Sequence, residues 1–211
     1  MQKSLILSKL MINMVIPEDI LFRSGATLQH FEANEFIFKE GKLATNYFQI
    51  QTGVVKLNNI FEDAKEFVHG FPFEGHCFGE TYLLTQKKYA INAVASTKCS
   101  IIKLEKKLYL DLIQQYPNIL INVSRYSAER LHFRYIVSSF LAIRDPQIRV
   151  SKLLQHLKDY FGYEEPFSFV IPFTRSQLAS LMGLRVETVI RILKKMEKEG
   201  LLQINQSKIY Y

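Results

Sequence analysis

Three textures of apolar and polar positions follow one another along the chain. From Glu35 to Leu104, short β-rich runs alternate with glycine-bearing breaks: Phe36-Ile37-Phe38 then Gly41, Tyr47-Phe48-Gln49-Ile50 then Gly53, Val54-Val55-Lys56-Leu57, Phe67-Val68-His69 then Gly70, Gly75 and Gly79, Ile91 to Val94, and Ile101 to Leu104. Many short strands at close, fairly even spacing predict an antiparallel sandwich or jelly roll. No βαβ alternation is present, so a Rossmann fold is not expected. Residues 5–33 read as mixed helix and coil. Between Lys106 and Arg144 there is no Gly, and Pro117 is the single Pro. Leu108, Leu112 and Ile113 predict a short helix before it. After it, Ile119, Val123, Tyr126, Phe133, Val137 and Phe140 recur at helical spacing, with a second stripe at Leu131, Arg134, Ser138 and Leu141. Two stripes on one long helix suggest that one side packs on its own domain and the other on a partner. One broad core face of a monomeric helical domain is the alternative. Asp145-Pro146 is expected to end that helix, because a proline ring disfavours the α conformation in the residue before it. Ile148 to Phe161, with Val150, Leu153, Leu154 and Leu157, predicts a further amphipathic helix.

The third texture carries the most chemistry. Thr174-Arg175-Ser176-Gln177 has the spacing of a capping box, in which the Thr hydroxyl and the Gln side chain each satisfy the other's backbone amide. Leu178, Leu181 and Met182 give that helix an apolar face, and Gly183 suits a tight turn at positive φ. A second helix is expected from about Val186 to Glu199, with Gly200 at its C-terminus. Val189, Ile192, Leu193 and Met196 fall on one face. Glu187, Arg191, Lys194 or Lys195, and Lys198 fall on the other. Helix, glycine turn and basic-faced helix make a helix-turn-helix pattern. Leu201 to Ile204 and Lys208 to Tyr211, around Asn205-Gln206-Ser207, would form a hairpin wing. An ordinary helical hairpin with a solvated charged face gives the same spacing.

Composition narrows the classes. With 48% apolar and 13% aromatic residues in 211, the chain can bury a core, which excludes wholesale disorder. Its 2 Cys exclude a disulfide scaffold and any four-cysteine metal or iron–sulfur site built from this chain alone. No apolar run reaches membrane-spanning length, and Met1 to Leu7 is too short for a secretory signal, so a cytoplasmic location away from membranes is expected. The net charge is +7. Before Pro146 the chain holds 17 basic and 14 acidic residues; from Pro146 onward it holds 10 and 6. The basic excess per residue is thus greater in the C-terminal part, as a polyanion partner would require.

At this point the residues resemble a family. Thr174 to Ala179, Met182-Gly183, Glu187 to Leu193 and Glu199 to Leu202 look like the winged helix of CRP/FNR transcription regulators. Phe38-Lys39-Glu40-Gly41, Tyr47 to Gly53 and Phe78-Gly79-Glu80 resemble the family's cyclic-nucleotide-binding-like barrel. The resemblance covers roughly residues 20–211. It implies an α+β chain: an antiparallel jelly-roll sensor with an N-terminal helical segment (1–110), a dimerisation helix (111–145) and a winged helix-turn-helix (146–211). It implies a bacterial homodimer on an inverted repeat of double-stranded DNA, with RNA polymerase as a further partner. Glu187 and Arg191 match base-reading positions, able to meet cytosine and guanine respectively, and Val186 and Ile190 sit beside them. Thr174, Arg175, Ser176, Arg185 and Thr188 correspond to phosphate contacts. The cAMP-responsive members have Arg where this chain has Val186, so a TGA-containing, TTGA-like half-site is expected.

The sensor is less regular. Gly79 and Glu80 match the family's ribose-binding pair. The Arg-Ser pair that holds the cyclic phosphate falls near Lys88-Tyr89, and the Thr-Ser pair that meets adenine falls near Arg134-Tyr135. Lysine lacks the bidentate fork of arginine, and Tyr replaces Ser poorly in a tight pocket. cAMP is therefore not expected, and Arg134 suits an interface ion pair or an anion. The family's oxygen-labile cluster is excluded, since Cys77 and Cys99 are too few. Haem is not expected either: His76-Cys77 offers two ligands, but neighbours in a strand point to opposite faces.

Two rivals remain at this level. A cupin-type enzyme shares the jelly roll but needs clustered metal ligands; His69 and His76 are too far apart, and no His-x-His exists, so no metal site is expected. No nucleophile–base arrangement or phosphate-cradling glycine loop stands out, and no catalytic residues are assigned. A cyclic-nucleotide-binding regulatory module acting on another protein, without DNA, is the second rival.

Overall fold

The computed structural model describes residues 14–62 and 66–211. The helix-or-coil reading of residues 5–13, and that of the chain's first residues, lie outside the described part. The chain divides into two compact units between Leu131 and His132.

In the first unit, α1 (Glu18–Arg23) precedes eight strands: β1 (Thr27–Phe31), β2 (Phe36–Phe38), β3 (Asn46–Thr52), β4 (Val55–Ile60), β5 (Glu66–Gly70), β6 (Cys77–Phe78), β7 (Asn92–Ala95) and β8 (Cys99–Glu105). A short helix, α2 (Thr81–Thr85), lies between β6 and β7, and α3 (Lys106–Gln115) follows β8. The strands form two four-stranded sheets, ordered β1-β8-β3-β6 and β2-β7-β4-β5. All their pairings are antiparallel, as the jelly-roll expectation requires. The central strand β3 buries Tyr47, Phe48, Gln49 and Ile50 in succession, so both its faces are covered. Gln49 tolerates this burial because its amide is fully engaged. Its Oε1 accepts from the Ile16 amide and the Tyr47 hydroxyl, and its Nε2 donates to the Ile16 carbonyl.

Two strands differ from the sequence reading. Thr27–Phe31 forms β1 because it pairs along β8, from Thr27↔Lys103 to Phe31↔Cys99. It is an edge strand, largely exposed, and carries little alternation to read. The other, β6, is only 2 residues long.

The next helix, α4 (Pro117–Phe140), contributes residues to both units. Ile119, Val123 and Tyr126 join the barrel's hydrophobic core. The outward row is Leu120, Ile121, Ala128, Leu131 and Tyr135, with Tyr135 67% exposed. It is shifted from the expected stripe: Arg134 is half-buried, and Leu141 lies beyond the helix end. Asp145-Pro146 does not end this helix. It starts the next one, α5 (Pro146–Tyr160): the Asp145 carboxylate caps the amides of Gln147 and Ile148, and Pro occupies the first turn, where no amide is needed.

The second unit adds α6 (Arg175–Met182), α7 (Val186–Lys198), β9 (Gln203–Asn205) and β10 (Lys208–Tyr210) to α5. Val150, Leu153, Leu154 and Leu157 of α5 are buried, as are Leu178, Leu181 and Met182 of α6 and Val189, Ile192, Leu193 and Met196 of α7. Each such large apolar side chain contributes about 1.5–3 kcal/mol by leaving water. Phe169 to Ile171 adds a third strand-like segment to the hairpin, through reciprocal Phe169–Tyr211 backbone bonds and the bond from the Ile171 amide to the Ile209 carbonyl. The wing is therefore broader than the two runs expected from sequence.

Candidate nucleic-acid interface and sensor pocket

The capping box forms as read. The Gln177 amide donates to the Thr174 hydroxyl at 3.2 Å, and the Thr174 amide donates to the Gln177 side chain at 2.9 Å. A cap of this kind is worth about 1 kcal/mol. At the other end of α6, Gly183 adopts φ +61, the left-handed conformation that reverses the chain toward α7. The turn has a clamp the sequence reading missed. Arg149 of α5 donates to the Met182 carbonyl at 2.8 Å and to the Ile143 carbonyl at 2.7 Å.

α7 separates into two faces. Its buried face is that of Val189, Ile192, Leu193 and Met196. A surface depression is lined by Glu187, Ile190, Arg191, Lys194, Lys195 and Lys198. Glu187 and Arg191 are exposed, and Val186 and Ile190, each just before one of them, are half-buried. Lys195 pairs with Glu199 at 3.7 Å. Four cations thus face one acid on this side of the helix, with Glu187 in the first turn and Lys195 and Lys198 in the last. Arg185 occupies the N-cap position and is exposed, and Thr188 is half-buried in the first turn.

Thr174 and Ser176 are exposed at the start of α6. Arg175 donates to the Ser207 carbonyl at 2.9 Å. That contact fastens the wing turn, whose two central residues, Gln206 and Ser207, have φ of +46 and +65. Left-handed backbone costs about 1–2 kcal/mol at each such residue. The Arg175 bond and the hairpin register of Lys208↔Asn205 hold the turn against that cost.

The barrel brings together Gly79, Glu80 and Tyr89 in a pattern of its own. Tyr89 is 4% exposed, and its ring stacks on Phe38 with centroids 3.7 Å apart and planes 8° from parallel. Tyr82 meets it edge-on, and Phe48 and Phe78 extend the cluster from Phe38. Gly79 has φ +77, and a Cβ there would lie 3.0 Å from Phe38 and 3.3 Å from Tyr89. Burial first, then the Glu80 carboxylate, pushes the Tyr89 hydroxyl up to about 12. Lys88 is exposed; its backbone forms a bridge with Leu43. Arg134 and Tyr135 belong to the second unit.

Glu80 is 2% exposed and has partners absent from the sequence reading. Its Oε1 accepts from Arg130 at 2.5 Å and from the Ser127 hydroxyl at 2.9 Å. Arg130 also donates to the Cys77 carbonyl at 3.0 Å and lies 5.2 Å over the Tyr126 ring. Burial opposes the Arg130 charge most strongly, but Glu80, Tyr126 and Cys77 together outweigh it and hold the guanidinium above its usual range. Glu80 Oε2 has no hydrogen-bond partner among the described residues. One half of a cyclic nucleotide would find a match here, since that oxygen can accept from a ribose hydroxyl. At the positions to which the sequence reading assigned the phosphate-holding pair, Tyr89 is enclosed and Lys88 is exposed. No local pattern marks this pairing, since Arg130 lies outside both stripes read on the helix.

His76 packs on Phe73 at 4.0 Å and Tyr126 at 5.1 Å. Its Nδ1 accepts from the Phe73 amide, so the neutral ring carries its proton on Nε2, which is buried and has no partner among the described residues. Burial first and Arg130 second lower its pKa to about 3. Cys77 and Cys99 are both buried free thiols, and burial pushes the Cys77 thiol well up, away from the reactive thiolate. No helix among the described residues is long and apolar enough to cross a membrane.

Comparison with known proteins agrees with this geometry in two parts. Residues 28–116 match the model of the cyclic nucleotide-binding domain, and residues 148–210 match that of the Crp-like helix-turn-helix domain. The cAMP-activated global transcriptional regulator CRP of Haemophilus influenzae is 27% identical over 190 residues, covering 89% of this chain and 85% of that protein. The transcriptional activatory protein AadR of Rhodopseudomonas palustris is 23% identical over 172 residues, covering 81% of this chain and 71% of that one. Among solved structures, the c-di-GMP responsive global regulator CLP of Xanthomonas campestris superposes with a TM-score of 0.73 at 23% identity, covering 90% and 95% of the two chains.

Proposed function

Given that this chain belongs to the CRP/FNR family of transcription regulators, with a helix-turn-helix DNA-binding domain, we propose that it acts as a cytoplasmic homodimer reading an inverted repeat. The observation that carries the proposal is the exposed face of α7. There Glu187 and Arg191 stand one turn apart above Lys194 and Lys198, on a helix whose opposite face is fully used for packing. Glu187 accepts from a cytosine amino group and Arg191 donates to guanine, with Val186 and Ile190 offering apolar contact to a thymine methyl. Thr174, Ser176, Arg185 and Thr188 surround the phosphates at the two helix starts, and Arg175 sets the wing beside them. The half-site is TGA-containing. The outward row of α4, Leu120, Ile121, Ala128, Leu131 and Tyr135, supplies the dimer seam, and pairing places two α7 helices ~34 Å apart, one DNA turn. RNA polymerase is the partner such a bound dimer would recruit. cAMP is not the proposed effector; the enclosed Tyr89 and the exposed Lys88, in place of the family's Arg-Ser pair, support that reading. A module that regulates another protein without DNA would leave the basic face of α7 with no role.

The test is Arg191→Ala on an inverted-repeat probe and on random duplex at equal salt. A loss of about 1–3 kcal/mol on the specific probe, with relaxed preference at one base pair, is expected. Equal losses on both duplexes would remove the base-reading assignment.

A further inference from the structure

The barrel is already filled by the chain itself. Tyr89 lies between the Phe38 face and the Tyr82 edge, over the Cα of Gly79. Its backbone is fixed on both sides: the Gly41 amide donates to its carbonyl at 2.8 Å, and its own amide donates to the Lys42 carbonyl at 2.9 Å. Withdrawing the ring would break a stacked aromatic contact and strain a strap held by two hydrogen bonds. A pocket of this kind, lined by rings and closed by a ring, behaves as a packed core rather than a vacancy.

We infer that Tyr89 is a built-in occupant of the sensor barrel, so that the barrel is complete without a cyclic nucleotide and DNA affinity does not respond to one. Phe38, Gly79 and Tyr82 form the seat, and the site beneath it is latent. Truncating Tyr89 opens a space for a neutral, phenol-sized aromatic that refills the slot between the Phe38 face and the Tyr82 edge. Apolar cavities made by truncation take up small aromatic molecules of matching shape. The DNA arm of this inference rests on the regulator reading above; the barrel arm does not.

The experiment uses the full chain in three forms: wild type, Tyr89→Ala and Tyr89→Phe. Thermal unfolding is followed with and without cAMP, and with and without p-cresol, the molecule that reproduces the tyrosine side chain. DNA affinity is read by anisotropy on the inverted-repeat probe. Millimolar cAMP leaves the wild-type Tm and DNA Kd unchanged. Tyr89→Ala lowers Tm, p-cresol restores part of the loss in that variant alone, and Tyr89→Phe stays near wild type. A cAMP-dependent rise in wild-type Tm, or tighter DNA binding with cAMP, overturns the inference. So does p-cresol acting equally on wild type and Tyr89→Ala. If Tyr89→Ala does not fold, the wild-type cAMP measurement decides. If wild type binds no inverted repeat, the regulator reading fails while the Tm measurements still judge Tyr89.

Discussion

Replacing Arg130 by Met isolates the ion pair inside the barrel. Methionine keeps the stem that packs near Tyr126 but removes the donors to Glu80 and to the Cys77 carbonyl. Glu80, 2% exposed, is left with the Ser127 hydroxyl. Removing one partner of a buried pair costs about 3–5 kcal/mol, because the remaining charge stays desolvated and uncompensated. In a chain of this size that corresponds to a Tm lower by roughly 6–20 °C. The reverse change, Glu80→Met, costs less, since the Arg130 side chain is 27% exposed against 2% for Glu80, and its guanidinium keeps the Cys77 carbonyl as a partner. The double variant recovers much of the Arg130→Met loss, as apolar replacements of buried pairs commonly do. Urea unfolding followed by circular dichroism gives all four corners of the cycle; with 0 Trp in the chain, indole fluorescence is no alternative. A cost below about 1 kcal/mol for Arg130→Met, or a greater one for Glu80→Met, would refute the reasoning from burial asymmetry.

Two further outcomes follow from single residues. His76 has its pKa lowered to about 3 against an ordinary 6.5, so the unfolded chain takes the proton first as pH falls; stability present above pH 6.5 is lost between there and about 3, reaching about 2 kcal/mol by pH 5, and His76→Phe should remove that part of the pH dependence in urea titrations. An unchanged pH slope in His76→Phe would contradict this. Gly53→Ala places a Cβ 2.5 Å from the Lys98 carbonyl at φ +97, whereas Gly41→Ala, at φ +81, meets nothing within 4 Å; the first should cost about 3 kcal/mol or more and the second about 1–2, and equal unfolding midpoints would show that the β3–β4 turn relaxes freely.

The legible parts of the molecule were those whose determinants are local. The capping box at Thr174–Gln177, the Gly183 turn and the two faces of α7 each depend on residues within a turn or two of one another, and each forms as read. The barrel strands were legible where alternation and glycine breaks were strong. β1 was not, because its strand character comes from β8, far along the chain. Asp145-Pro146 was assigned to the wrong side of a helix boundary: the pair both stops and starts helices, and here the start prevails through the Asp145 cap. The Glu80–Arg130–Ser127 cluster and the Tyr89–Phe38 stack join residues roughly fifty apart in sequence. Nothing local distinguishes such partners from ordinary exposed or core side chains.

The division of labour on α7 has an evolutionary meaning. Positions 187, 191, 194 and 198 bear none of the winged unit's packing, while 189, 192, 193 and 196 bear it all along the helix. On the base-reading role proposed for that face, the target vocabulary can drift, or be rewritten in a library, without renegotiating whether the domain folds.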